Sequence, residues 1–191
     1  MSSSSASSSG VGPDDTGLEQ AEADNCFPVA FVGHGAPLLA LDTIKGAELT
    51  AWGRILGRPK AILVISAHWE TAVPTLGTYT QKPLIYDFAG FPAELYDIQY
   101  PAPGAPELFE VVHELLGARY EVAHQPDRGL DHGVWVPMVH LYRYADVPIL
   151  QLSLPQDASG EELFDLGQNL AMLSNNGILL LASGNLTHNL R

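Results

Sequence analysis

The sequence has one cysteine, Cys26, so no disulfide can form within the chain and a reducing compartment is expected. It is poor in basic residues: nine Lys and Arg stand against 22 Asp and Glu, a net charge of −13. Nucleic acid and anionic membrane surfaces both require clustered cations, so neither is expected as a partner. No apolar run approaches the roughly 18 residues of a membrane-spanning helix. The first residues lack the basic and apolar stretches of a secretory leader. A soluble cytoplasmic protein is the expectation. Gly-x-Ser-x-Gly, P-loop and Gly-x-Gly-x-x-Gly patterns are also missing, which removes the common serine-nucleophile and nucleotide-binding readings.

What remains is a chain of 191 residues, 46% of them apolar, enough for the core of one α/β domain. Residues 1–26 are rich in Ser, Gly, Ala and Asp. They hold Asp14, Asp15, Glu19, Glu22 and Asp24 without one basic residue, and are expected to form a disordered tail. The domain is expected over 27–191. Strands are predicted at 28–33, 60–66, 75–80, 120–123, 147–154 and 178–183, and helices at 43–56, 107–116, 134–144 and 160–175. Pro137 is expected in the first turn of its helix, where proline is tolerated. The Pro- and aromatic-rich stretch 82–106 reads as a structured loop. Strands alternating with helices imply a mostly parallel central sheet with helices on both faces. Ligands of such sheets bind beyond the carboxyl ends of the strands.

Three of the seven histidines fall just past a predicted strand: His34, His68 and His188. A fourth, His132, lies in a loop that opens onto a helix. Imidazole is the commonest ligand for a borderline metal, and the glycines beside His34 let a ligand approach the backbone. Asp131, next to His132, is a candidate to orient an imidazole. His113, His124 and His140 sit where structural roles are expected. Acids near the strand ends are few (Glu70, Asp87 and Asp131), a poor fit to a paired-carboxylate glycosidase.

Five segments occur in order: Gly33-His34-Gly35-Ala36-Pro37, Ser66-Ala67-His68-Trp69, Tyr86-Asp87-Phe88-Ala89-Gly90-Phe91-Pro92, Gly129-Leu130-Asp131-His132-Gly133 and Ser183-Gly184-Asn185-Leu186-Thr187-His188-Asn189-Leu190. Together they resemble the class III extradiol ring-cleavage dioxygenases of the LigB type, in the DOPA 4,5-dioxygenase-like clade, from Phe27 to Arg191. The resemblance implies that His34 and His68 ligate a divalent metal, Fe(II) or alternatively Zn(II). It implies that His188 stands at the metal as a further ligand or as an acid/base group. His132 would line the pocket as a catalytic residue, with the Tyr86 to Pro92 loop shaping it. The reaction implied is insertion of O₂ beside the two hydroxyls of a catechol, giving a muconic semialdehyde. The resemblance also implies another His or carboxylate ligand from a region beyond Arg191, so the chain is expected to be C-terminally incomplete and poorly active in this form. The rival expectation is a non-catalytic pseudo-enzyme or ligand-binding module on the same scaffold. A metal-dependent hydrolase is a weaker third, for want of carboxylates to position water.

Overall fold

The computed structural model describes residues 26–81 and 83–186. Residues 1–25 of the tail expected over 1–26, and His188, lie outside them. Cys26 is exposed, its thiol directed at the Asn175 amide oxygen.

Among the described residues six strands form one mixed sheet in the order β1-β6-β2-β5-β3-β4, with β1 at Val29–Gly33, β2 at Ala61–Thr71, β3 at Thr75–Leu76, β4 at Ala123–His124, β5 at Ile149–Pro155 and β6 at Ile178–Gly184. The pairs β1/β6, β6/β2 and β2/β5 are parallel, while β3 runs antiparallel to β5. Successive residues of the central strands enter opposite cores. Ile62, Val64, Ile149, Leu179 and Leu181 pack with Val134, Trp135 and Met138 of helix α3 (His132–Leu141) and with Leu49 and Trp52 of α1 (Thr43–Leu56). Ala61, Leu63, Leu150, Leu152 and Leu180 face Leu108, Phe109 and Val112 of α2 (Pro106–Gly117) and Leu166 and Leu170 of α4 (Gly160–Ala171). These strands therefore read as unbroken apolar runs, and helices cover both faces as expected. Among the described residues no helix is long and apolar enough to cross a membrane.

Small residues set the seat of α1 on α3. A Cβ on Gly46 would strike the His140 ring and one on Gly53 the Leu141 carbonyl, while the Thr50 hydroxyl between them donates to His140 O at 3.0 Å. His140 Nε2 in turn lies 2.8 Å from Leu39 O, so this histidine clamps two elements together.

Four expectations need correction. β2 runs past Ser66 to Thr71: its pairing with β5 shifts register between Ile65 and Glu70 and then resumes, so His68 sits in a bulged stretch inside the strand. The mixed residues 67–71, in which His68, Glu70 and Thr71 interrupt the apolar run, hid that continuation. β3 is two residues long: Gly77 N–H still reaches Gln151 O of β5, but Thr78 N–H donates to Arg128 O instead of to β5. β4 is likewise short and shifted to Ala123–His124. α3 begins at His132 and ends at Leu141, which places Pro137 sixth in the helix instead of in its first turn.

Candidate metal centre

Because β1, β6 and β2 are adjacent and parallel, their carboxyl ends lie side by side. Ser183 of β6 is in register with Val32 on one flank and Ser66 on the other. His34 follows β1 directly and is 1% exposed. Its Nδ1 lies 2.8 Å from Ser183 Oγ and its Nε2 2.8 Å from His68 Nε2. The bulge in β2 aims His68 there, a use of bulges common beside functional sites. His132 enters from the first residue of α3, its ring centroid 3.9 Å from that of His68 and 5.4 Å from that of His34. Each of the three offers a ligand atom within 4.8 Å of the others. The structure thus brings His34, His68 and His132 together, while His188, expected at the same metal, lies outside the described residues. The Asn185 amide oxygen accepts from Gly35 N–H at 3.1 Å, which ties the start of the segment that carries His188 to the loop after His34.

The carboxylate that orients His132 is Asp87, not its neighbour Asp131. Asp87 Oδ1 lies 2.8 Å from His132 Nδ1 and accepts its backbone N–H at 3.1 Å. Burial alone would raise the Asp87 carboxyl, but these bonds and the His132 charge prevail, and its pKa falls below the usual carboxylate value. Asp131 is fully buried and turns under β2 instead. It accepts from Ser66 Oγ at 2.7 Å, from the Arg128 guanidinium at 3.1 Å and from the Gln151 amide. Ser66 Oγ accepts the His68 backbone N–H at 3.2 Å, so Asp131 acts on His68 through its backbone. Gly133 completes the floor: a Cβ there would collide with Ser66 Oγ and come within 2.9 Å of His68 Cδ2.

Sequence reasoning missed the partnerships of Asp87 and Ser183. A signal existed for the serines, since Ser66 and Ser183 both close otherwise apolar strand runs, where a buried hydroxyl requires a partner. His113 and His124 pack on Phe109, away from the triad, as expected of structural residues.

The donor set suits a divalent metal. Burial first, and then the neighbouring His68 and His132, lower the His34 pKa to about 4, so its ring is neutral near pH 7. Two nitrogens bound to one ion at about 2.1 Å and roughly at right angles stand about 3 Å apart, close to the separation of the His34 and His68 Nε2 atoms. A wall of rings borders the triad. Phe88 meets His132 edge to face at 5.8 Å and packs with Phe91, Tyr96 and Trp135.

The family model described as the catalytic LigB subunit of aromatic ring-opening dioxygenase matches residues 41–191. A protein of Beta vulgaris named 4,5-DOPA dioxygenase extradiol is 44% identical over 171 residues, which are 86% of this chain and 64% of that protein. The protein of the same name from Escherichia coli K12 is 41% identical over 166 residues, 86% of this chain and 61% of that one. The crystal structure of uncharacterized protein JW3007 from Escherichia coli K12 superposes with a TM-score of 0.70 at 38% identity, covering 85% of this chain and 62% of that one. The chain thus spans less than two thirds of the length of these relatives. The family model spans most of the chain, and on this agreement of sequence and fold the chain belongs to the LigB family of class III extradiol dioxygenases.

Proposed function

We propose that the protein cleaves a catechol of the DOPA type by extradiol addition of O₂ at a non-haem metal, Fe(II) in the first place and Zn(II) as the alternative. His34, His68 and His188 would hold the ion, and His132 and His188 would move protons. The observation that carries the proposal is the 2.8 Å approach of the His34 and His68 Nε2 atoms beside an imidazole already held by a carboxylate. The names of the relatives support the substrate class. A metal so bound supplies one place where a catechol and O₂ meet.

The protein's own groups then have defined tasks. His132, with Nδ1 on Asp87, presents Nε2 to take a proton from a catechol hydroxyl and later return it. Phe88 and the rings behind it give a planar aromatic substrate an apolar wall. Asp131, Ser66 and Gly133 keep His68 in place. Both oxygen atoms of O₂ enter the product, the carbon–carbon bond beside the two hydroxyls breaks, and no external reductant is consumed.

The test is an anaerobic titration with Fe(II), followed by DOPA and oxygen. One ion per chain, lost in His34→Ala and His68→Ala, together with oxygen uptake and a yellow semialdehyde product, is the expected result. Metal binding without oxygen uptake would favour the non-catalytic ligand-binding reading. In His132→Ala, turnover should collapse while metal content persists; loss of the metal would make His132 a third ligand, as its place in the triad also permits.

A further inference from the structure

Proline inside a helix leaves one carbonyl without its usual donor, and here that carbonyl is used. Pro137 is the sixth residue of α3, so the oxygen four residues earlier, on Gly133, lacks the N–H that residue 137 would otherwise donate to it. The Ser183 hydroxyl donates to it at 2.5 Å. A serine has one hydroxyl proton, and a carbonyl can only accept. Ser183 Oγ therefore has no proton left for its other neighbour, His34 Nδ1 at 2.8 Å, and can only accept there. The neutral His34 ring must carry its proton on Nδ1, which turns the Nε2 lone pair toward His68 Nε2.

We propose that Pro137 is a positioning residue which, through Gly133 O and the Ser183 hydroxyl, holds His34 in the Nδ1–H tautomer with Nε2 open to a metal. All members are secluded: Ser183 is 2% exposed, His34 1%, and Gly133 and Pro137 are buried. Water therefore does not compete for the hydroxyl. With any other residue at 137 a backbone N–H would share Gly133 O and weaken the Ser183 bond to it. The Ser183 proton could then swing to His34 Nδ1, which favours the tautomer whose Nε2 carries hydrogen and cannot ligate. The proposal rests on the metal-site reading only for its purpose; the tautomer itself is a property of the metal-free protein.

Two measurements on residues 1–191 separate the parts. Two-bond ¹H–¹⁵N spectra of the metal-free protein at neutral pH should show His34 protonated on Nδ1. Pro137→Ala should shift part of the population to Nε2–H, with the α/β fold retained by circular dichroism. Titration with Zn(II) alone should show at least a tenfold weaker Kd for Pro137→Ala, and a 10–100-fold weaker one for Ser183→Ala. An unchanged tautomer in Pro137→Ala, or a wild type protonated on Nε2, would overturn the inference. A wild type that is Nδ1-protonated but binds no Zn(II) would leave the tautomer lock standing and defeat the metal site.

Discussion

Asp87 Oδ1 accepts two hydrogen bonds from the same residue, His132, at the ring Nδ1 and at the backbone N–H. The pair joins the aromatic loop to the first turn of α3, so the loop and the imidazole are placed by one carboxylate oxygen. Asp87→Asn keeps an oxygen acceptor but removes the charge that steadies an imidazolium. Turnover should fall by about 10–100-fold with metal content nearly intact. Steady-state kinetics with metal analysis check it. An equal loss of metal would show that Asp87 serves the metal and not the proton transfer.

His34 makes the metal-free protein sensitive to acid. Its pKa in the fold is about 4 against 6.5 when exposed, so the unfolded chain takes up the proton first. The contribution is fully present above pH 6.5 and is lost as the pH falls from there toward 4. Between pH 7 and pH 5 this amounts to roughly 2 kcal/mol. Urea unfolding of the apo protein and of His34→Gln should show the difference, with a flatter pH dependence in the variant. Parallel curves would rule His34 out as the cause.

At Gly133 the space for a side chain is already filled by Ser66 and His68. Gly133→Ala should push the His68 ring aside, weaken metal binding at least tenfold, and cost about 1–3 kcal/mol of stability through overpacking. A crystal structure of the variant with His68 unmoved would contradict this.

Asp131 faces Arg128, which also lies over the Trp69 ring at 4.7 Å. Asp131→Ala would leave a mostly buried guanidinium and the Gln151 amide without their acceptor. The expected loss is about 3–5 kcal/mol in chemical denaturation. Arg128→Ala with Asp131→Ala should recover part of that loss, because the uncompensated charge goes too. Purely additive losses would mean that the pair is not coupled.

Much of this architecture follows from local order along the chain. The apolar runs 60–66 and 178–183 had to be central strands, because only cover on both faces suits residues apolar on both. In the structure α1 starts where the Asp42 carboxylate accepts from Ile44 N–H and Lys45 N–H, and α4 starts at a capping box of Ser159 and Glu162. Histidines at strand ends pointed to one edge of the sheet, since parallel strands deliver their ends to one side. The sequence readings rest on periods of two and 3.6 residues. What the fold alone decided are contacts between distant segments. Asp87 meets His132 across 45 positions and His34 meets Ser183 across 149, pairings that no local period encodes. The extension of β2 to Thr71 depends on hydroxyl contacts with β5, among them Thr71 Oγ1 to Ser153 Oγ at 2.5 Å. The Gly133 carbonyl, which Pro137 cannot supply with a backbone N–H, accepts from a serine of a distant strand. A hydrogen bond is indifferent to sequence distance, so the choice among several candidate acids and hydroxyls was made only when the strands were set side by side.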